Sequence, residues 1–280
     1  MLPGRAPRKG AEPPREGHGR MTRDPTARFS DRVASYVRAR PGYPPAVLDA
    51  IEEETGLRAP VAVADVGSGT GIFSALLLER GHTVHAVEPN AAMREAAEAA
   101  LGRHPAFRSV DGRAEATTLD DASVDLVTAA QAFHWFDPEA TREEWRRILR
   151  PRGWVALLWN DRITRGEPFL EAYEAFLEAW GTDYREVRSR WDAQENLAAL
   201  FGEAGWREAR LANEQRLDLE GLTARVLSSS YIPGEGHPRH LPMLDALGRV
   251  FDEHESGGTV RIAYRTTLHV GTLSPATARP

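Results

Sequence analysis

The segment 61–71, with the sequence VAVADVGSGTG, constrains the fold of this chain more than any other. A short run of small and β-branched apolar residues predicts a buried strand, and the glycines that follow at alternate positions end it. A helical pattern follows at 72–80. A buried strand, a glycine turn and a helix form the unit from which open α/β sheets build nucleotide sites, with the ligand at the carboxyl ends of the strands.

The spacing of Gly67, Gly69 and Gly71 separates this turn from two common phosphate-binding loops. A dinucleotide fingerprint needs its third glycine one position later, where Ile72 stands, and a P-loop needs a Gly-Lys-Ser/Thr ending that is absent. Asp65 precedes the first glycine, and an acid there suits a ligand with a cationic group better than a bare phosphate. S-adenosylmethionine is such a ligand, because it carries an ammonium and a sulfonium and no phosphate.

A second predicted strand, Thr83–Val87, ends in Glu88, whose carboxylate can accept from both hydroxyls of a ribose. Asp-x-Gly-x-Gly-x-Gly at 65–71 together with Glu88 resembles the class I S-adenosylmethionine-dependent methyltransferases, over roughly residues 30–160. The resemblance implies S-adenosylmethionine as cofactor and an α/β fold. That fold is a seven-stranded, mostly parallel Rossmann-like sheet with helices on both faces, an antiparallel last strand and a helical lid insertion. A plain glycine turn beside a surface glutamate is the alternative.

The same resemblance assigns further cofactor contacts after the second strand. Pro89 follows the ribose acid, Asn90 caps the next helix, and Met93 packs either on adenine or in the core. The residues expected to bind the cofactor are Asp65, Gly67, Ser68, Gly69, Gly71, Glu88, Pro89, Met93, Arg113, Ala114, Glu115 and Gln131.

A third predicted strand at 106–110 leads into Asp-Gly-Arg-Ala-Glu at 111–115, which resembles the family turn Gly-Asp-Ala-Glu. In the family a backbone N–H and an acid of this turn read adenine. Arg113 stands in place of the acid and has donors only, so it cannot accept from the adenine amino group. We therefore expect main-chain recognition at Ala114, stacking by Arg113 as an alternative, and leave the part played by Glu115 open.

The fourth predicted strand, Val124–Ala130, is followed by QAFHWF at 131–136. Residues at the end of this strand face the transferable methyl in the class I fold, and the run resembles the trans-aconitate-methyltransferase-like branch of the type 11 methyltransferases. His134 is the candidate catalytic base. The alternatives are a wall of the pocket, together with Trp135, or an anchor for an anionic substrate. The N-P-P-Y tetrad of amino-group DNA and protein methyltransferases is absent.

An Arg-Pro-Gly-Tyr-Pro segment at 40–44 separates two short predicted helices. It resembles the segment that lies over the cofactor as part of a lid in type 11 methyltransferases. Tyr36, Arg40 and Tyr43 would then face the substrate pocket, and Arg40 suits an acidic substrate because its planar fork matches a carboxylate. A helix-ending turn with a surface arginine is the alternative.

The chain divides into four predicted regions. Residues 1–28 form a disordered tail, 29–160 the cofactor-binding core with N-terminal lid helices, 161–205 a helical substrate lid, and 206–280 the C-terminal part of the same sheet. The lid is predicted from three amphipathic helices, and the last region from two strands and two helices. The predicted elements outside those already given lie at 29–38, 46–55, 139–149, 154–159, 168–180, 184–191, 194–203, 206–217, 219–230, 241–254 and 259–270.

Composition narrows the function further. At 280 residues and 41% apolar content the chain fits one large α/β domain with insertions, and its net charge of −6 gives no sign of a nucleic-acid or membrane partner. The absence of cysteine excludes thiolate catalysis, and we expect no metal. We predict a cytoplasmic O-methyltransferase of a small-molecule carboxylate or hydroxyl, and leave its oligomeric state open. An inactive S-adenosylmethionine-binding regulatory protein, an N-methyltransferase and a nucleotide-dependent oxidoreductase are the alternatives.

Overall fold

The computed structural model describes residues 40–182, 184, 193–229 and 231–273. The tail predicted at 1–28 and the helix predicted at 29–38, which includes Tyr36, lie outside the described residues. So does the helix predicted at 184–191, apart from Tyr184 itself.

Seven strands form one sheet in the described part of the chain. They are β1 (Ala62–Val66), β2 (Thr83–Val87), β3 (Phe107–Val110), β4 (Val124–Ala130), β5 (Leu149–Arg162), β6 (Arg207–Leu217) and β7 (Val260–Gly271). Their order is β3-β2-β1-β4-β5-β7-β6, with the first five parallel and β7 antiparallel between β5 and β6. The predicted Rossmann-like fold class is confirmed. The carboxyl ends of β1 and β4 meet at the switch point of the sheet, where α/β folds bind ligands.

Some of the helices begin at a side chain that caps their first turn. The helices of the described residues are α1 (Ala46–Thr55), α2 (Ile72–Glu79), α3 (Ala91–Leu101), α4 (Pro138–Ile148), α5 (Pro168–Trp180), α6 (Ala193–Phe201), α7 (Leu219–Leu227) and α8 (His240–His254). Asn90 accepts from the Met93 N–H at the start of α3, and Asp137 accepts from two N–H groups at the start of α4, so otherwise unpaired donors are satisfied. Within the described residues, no helix is long and apolar enough to cross a membrane.

Two helical layers cover the sheet. Val63 and Ala64, adjacent in β1, are both fully buried on opposite faces, the first among residues of α1 and α2 and the second among residues of α4 and α6. Leu197 and Leu200 of α6 pack in the same cluster as Trp145 of α4. The last of the three helices predicted at 161–205 therefore belongs to the layer on the sheet and is not part of a substrate lid.

A separate helical cap stands beyond the carboxyl end of the sheet. Its apolar core joins α5, α7 and α8 to the first half of β7, with Tyr173, Met243 and Ile262 among its buried side chains. The cap is built from two connections, one between β5 and α6 and the other between β6 and β7. The helices of the region predicted as the C-terminal part of the sheet thus belong to this cap, because their apolar faces pack on α5 as well as on β7.

The strand predicted at 154–159 is too short. Strand β5 begins at Leu149, which pairs with Val124, and a register shift then brings Trp154 opposite Leu126. At its other end, Asn160 to Arg162 continue the strand because they pair with β7. These polar residues lack the apolar pattern of a buried strand, and their backbone partners come from a segment about a hundred residues later in the chain.

Candidate active site

The glycine turn after β1 forms one wall of a cavity at the carboxyl end of the sheet. The N–H groups of Gly67 and Ser68 donate to the Val87 carbonyl at 2.8 and 3.2 Å, so the turn is tied to the end of β2. Gly71, with φ at 83°, then begins α2 from the left-handed region. The turn therefore brings its backbone, and the first turn of the helix, to the switch point.

Gly69 offers the open stretch of this wall. A Cβ atom at Gly69 would have nothing within 4 Å, whereas a Cβ atom at Gly67 would meet the Ala132 side chain at 2.6 Å. The hydroxyl oxygens of Ser68 and Thr70, two residues that line the cavity, are buried and have no hydrogen-bond partner among the described residues. Open backbone beside unpartnered buried hydroxyls fits a polar ligand held closely against the turn.

Glu88 is fixed beside the turn before any ligand binds. Its Oε2 atom accepts from the Gly69 N–H at 3.0 Å and its Oε1 atom from the Asn90 N–H at 2.9 Å. Arg94 donates to the Glu88 and Pro89 carbonyls, which holds the backbone here. Burial raises the pKa of Glu88, and the two N–H donors act in the opposite direction. Each carboxylate oxygen keeps a lone pair, so both hydroxyls of a ribose can be accepted.

Asp65 lies near the end of β1, with 1% of its surface exposed, and lines the cavity. Its Oδ2 atom accepts from Ser74 Oγ at 2.6 Å and its Oδ1 atom from Thr128 Oγ1 at 2.9 Å. Burial is the main reason that the pKa of Asp65 rises to about 6. A carboxylate that is buried, oriented and near a second acid, Glu88, is strongly matched to a cationic group of a ligand.

The residues predicted to read adenine have different surroundings. Met93 and Ala114 are buried, at 4% exposure each, while Arg113 is exposed. Glu115 Oε1 accepts from the Asp137 N–H at 3.0 Å and so fixes the start of α4. The adenine roles of Met93, Arg113, Ala114 and Glu115 stay predictions.

The segment 40–44 contributes to the lining of the cavity and is anchored to the sheet through its backbone. The Gly42 carbonyl accepts from Asn160 Nδ2 at 3.1 Å and from Asn213 Nδ2 at 2.9 Å. Asn160 is itself oriented by Thr266, whose hydroxyl donates to Asn160 Oδ1 at 2.6 Å. Sequence reasoning missed Asn160, because its partners lie on β6, on β7 and before α1.

Arg40 and Tyr43 of this segment both line the cavity. Arg40 Nη2 donates to the Ser228 carbonyl, just after α7, at 3.1 Å, so the segment is joined to the cap. The ring of Tyr43 meets that of Phe73 edge to face, with the centroids 5.1 Å apart. The structure therefore brings the segment over the glycine turn, while the contacts of Arg40 and Tyr43 with ligands stay predictions.

Gln131, at the end of β4, marks the passage to a second cavity. Its φ of 57° is rare for a residue other than glycine, and its Nε2 atom donates to the Asn160 carbonyl at 3.2 Å. The second cavity also contains Trp159, Arg162 and Tyr231 in its wall. The residues that line both cavities are Arg40, Gln131, Asn160 and Arg225. The two cavities therefore adjoin each other at the end of β4, with these four residues between them.

His134 lines the second cavity, whereas Trp135 lies outside the lining of both cavities and is 42% exposed. Their rings contact each other, with the centroids 4.9 Å apart. Burial lowers the pKa of His134 to about 4. His134 is therefore neutral near pH 7, and the substrate contact predicted for Trp135 stays a prediction.

Arg225 of α7 lines both cavities, is 9% exposed, and was missed in the sequence. Its neighbours Leu222 and Val226 are fully buried on the same side of α7. Burial acts against the charge of Arg225, and the oxygen atoms of the tyrosines around it, led by Tyr264, favour that charge. The sequence did contain a signal, because Arg225 lies on the apolar face of its helix. A buried arginine there needs polar or charged partners, which indicates a site.

The sheet order, the glycine turn with Asp65 before it, and Glu88 at the end of β2 are features of the class I S-adenosylmethionine-dependent methyltransferase fold. Three features of the turn fit this cofactor. The backbone at Gly69 is open, the hydroxyls of Ser68 and Thr70 can bind a polar ligand, and two carboxylates lie beside the turn. Residues 64–157 match the family model of a methyltransferase domain, which covers β1 to most of β5 and leaves out the cap. Residues 64–157 thus carry a methyltransferase domain, and S-adenosylmethionine is the cofactor that this turn fits.

Relatives in other organisms agree with this assignment. An uncharacterised methyltransferase of Mycobacterium tuberculosis is 42% identical over 143 residues, which are 51% of this chain and 56% of the relative. The chain thus spans little more than half the length of this relative. An uncharacterised methyltransferase-like protein of Schizosaccharomyces pombe is 29% identical over 259 residues, which are 89% of this chain and 96% of the relative.

A solved structure of similar fold extends the comparison to the cap. A candidate type II methyltransferase from Anaeromyxobacter dehalogenans aligns with a TM-score of 0.62 and 25% identity, over 83% of this chain and 97% of that one. The aligned share is much larger than the matched domain, so the likeness in fold extends beyond the cofactor half of the chain.

Proposed function

We propose that this chain transfers the methyl group of S-adenosylmethionine to an oxygen of a small molecule, either a carboxylate or a hydroxyl. The cavity that continues from the glycine turn past Gln131 to His134 carries this proposal. Its walls are side chains of β5 and of the cap, including Trp159 and Tyr231, and such a site suits a small, partly apolar acceptor. A polymer would need an open basic track, and the net charge of −6 does not favour one.

The chain has to orient the acceptor and exclude water. S-adenosylmethionine supplies a methyl group that its sulfonium has already activated, so positioning and desolvation account for most of the protein's contribution. A carboxylate acceptor attacks without losing a proton. A hydroxyl acceptor must give up a proton, and a base in the second cavity would accept it.

The lowered pKa of His134 bears on the three roles considered for this residue. A histidine with a pKa of about 4 is neutral at pH 7, which speaks against a charged anchor for an anion. It is also a weak base at that pH, since general bases act best when their pKa lies near the working pH. The lowered pKa therefore favours His134 as part of the cavity wall, beside an acceptor whose carboxylate needs no base.

The test is a methyl-transfer assay with radiolabelled S-adenosylmethionine and the full chain. A panel of small carboxylic acids and phenols should contain an acceptor, while bulk RNA and denatured protein should not be labelled. Labelling of RNA or protein with none of the small molecules would overturn the proposal. Labelling of amines alone would indicate the N-methyltransferase, and cofactor binding without any transfer would indicate the regulatory protein. The cytoplasmic location stays a prediction.

A His134→Ala variant separates the two oxygen acceptors. With a carboxylate the rate should fall less than about tenfold, and with a hydroxyl that needs His134 as base it should fall on the order of 10²-fold or more. His104→Ala, at an exposed histidine outside both cavities, is the control. Because the pKa of His134 is about 4, the wild-type rate should be flat from pH 6 upward in either case, without the rise expected of an ordinary histidine.

A further inference from the structure

Arg225 is a buried cation, and no carboxylate of the described residues pairs with it. Its Nε atom lies 3.5 Å from Tyr264 Oη and its Nη1 atom 3.3 Å from Ser229 Oγ, and both partners are neutral. Among the residues that the structure describes, no carboxylate lies within ion-pair distance of Arg225. Both hydrogen bonds are long, so the guanidinium is not saturated by the protein around it.

Arg162 provides the comparison within the same cavity. It forms an ion pair with Glu174, receives the Tyr173 ring against its guanidinium at 5.0 Å, and donates to Tyr184 Oη at 2.7 Å. Arg162 is thus the usual buried arginine, with its charge balanced inside the protein. Arg225 departs from this pattern. Burying an unpaired charge is unfavourable, so a site that keeps one is expected to receive the opposite charge from a ligand.

The position of Arg225 shows which ligand can supply that charge. Arg225 and Arg40 line both cavities and flank the passage beside Gln131, so an anion there lies next to the end of β4. The remaining walls include the aromatic residues Trp159 and Tyr231. The planar fork of arginine matches a carboxylate, and aromatic walls match a flat, apolar body.

We propose that Arg225 binds the carboxylate of the methyl acceptor, and that the acceptor is therefore a small monocarboxylic acid with a flat, apolar body. This inference rests on the proposed methyl transfer to a small molecule. A carboxylate reaching Arg225 has a second source in the methionine end of the cofactor, and the experiment has to separate the two.

The experiment titrates the full chain, saturated with S-adenosylhomocysteine, with three monocarboxylates: acetate, benzoate and trans-cinnamate. Benzamide serves as the neutral analogue of benzoate. Benzoate or cinnamate should bind the wild type, and benzamide should bind about 10- to 100-fold more weakly, as expected for the loss of charge-assisted hydrogen bonds. Arg225→Gln should lower the affinity for the acids by a similar factor and change that for S-adenosylhomocysteine less than about twofold. Arg210→Gln, at an exposed arginine of β6, should change neither.

Thermal unfolding shows whether Arg225 is instead a structural residue. Removing an unbalanced buried charge should leave the midpoint of Arg225→Gln unchanged or raise it, whereas Arg162→Gln should lower the midpoint because it leaves Glu174 unpaired. Should Arg225→Gln fail to fold, Arg225→Lys keeps the charge without the fork and should weaken benzoate binding about tenfold.

Four outcomes would overturn the assignment. Failure of all three acids to bind the loaded wild type would remove the carboxylate site, and equal benzoate affinity in the wild type and Arg225→Gln would place it elsewhere. A tenfold loss of S-adenosylhomocysteine affinity in Arg225→Gln would assign Arg225 to the cofactor. Preference for phenyl phosphate over benzoate would change the ligand class. Failure of the proposed function would give a different result. The acids would then still bind in the titration, but no acceptor would be methylated in the transfer assay.

Discussion

A single methyl group added at Gly69 tests whether the cofactor lies against the glycine turn. In Gly69→Ala the new Cβ atom would meet no protein atom within 4 Å, so any steric effect must come from a ligand. The backbone at Gly69 has φ of 56°, which an alanine adopts only with strain. Gly56, the C-cap of α1, supplies the matched control. Its φ is 73°, a Cβ atom there would also meet nothing, and it precedes β1 while Gly69 follows it.

Gly69→Ala and Gly56→Ala both strain the backbone, but only Gly69→Ala places a methyl group where the ligand is expected. A left-handed alanine costs roughly 1–2 kcal/mol, so both variants should unfold a few degrees below the wild type. Only Gly69→Ala forces a bound ligand away from the backbone, and overfilling a fitted contact costs about 1–3 kcal/mol, or roughly 10- to 100-fold in affinity. Gly69→Val, whose branched side chain is larger and still less tolerant of positive φ, should abolish measurable binding.

Calorimetric titration with S-adenosylhomocysteine is the assay, with the thermal midpoint recorded for each variant. Gly56→Ala should bind like the wild type although it is equally strained, and Gly69→Ala should bind at least about tenfold more weakly. Equal affinity in the two variants would show that the ligand does not approach the turn at Gly69. NAD should not bind any of the proteins, and NAD binding by the wild type would return the oxidoreductase to consideration.

Three further predictions follow from the same site. In Glu88→Gln an amide NH2, which is a donor, replaces one carboxylate oxygen that accepts from a backbone N–H. S-adenosylhomocysteine should therefore bind about 10²-fold more weakly. The wild type should bind the 2′-deoxy analogue more weakly than S-adenosylhomocysteine, and the variant should bind the two alike. Because the pKa of Asp65 is about 6, its charge is lost as pH falls, so affinity should drop up to roughly tenfold per pH unit below 6. Asp65→Asn should bind weakly throughout and remove that part of the pH dependence, and an unchanged slope would refute the role. Hydrogen exchange in segment 40–44 should slow when S-adenosylhomocysteine is added, since the segment lies over the turn, and equal protection in both states would indicate another route for the ligand.

The cofactor half of the fold could be predicted because its signals are local. The apolar run before Gly67, the acid at Glu88 and the capping residues Asn90 and Asp137 each act within a few residues of their own position. The strands β2 and β4 accordingly have the predicted bounds, and β1 lies within the predicted segment. Pairing in parallel between buried apolar strands then leaves few arrangements for the sheet.

The acceptor half could not be predicted to the same depth, because its features depend on partners far along the chain. Amphipathic patterns showed that α6 and α7 each have an apolar face, but not that α6 would pack with Trp145 and α7 with α5. Asn160 gains its role from Gly42 and Thr266, more than a hundred residues away on either side. Arg225 was overlooked because one charge within an apolar helical face looks like the exposed edge of that face.

The double origin of the cap bears on how the specificity of such a protein can be changed. Helix α5 comes from one connection of the chain and α7 and α8 from another, yet their side chains share one apolar core. A chimera that takes only the β5–α6 connection from a relative would expose mismatched apolar surface and lose Tyr173 from the packing beside Arg162. Exchange of both connections together would keep this apolar core matched, while Gln131, His134 and Trp159 of the second cavity would remain with the recipient's strands.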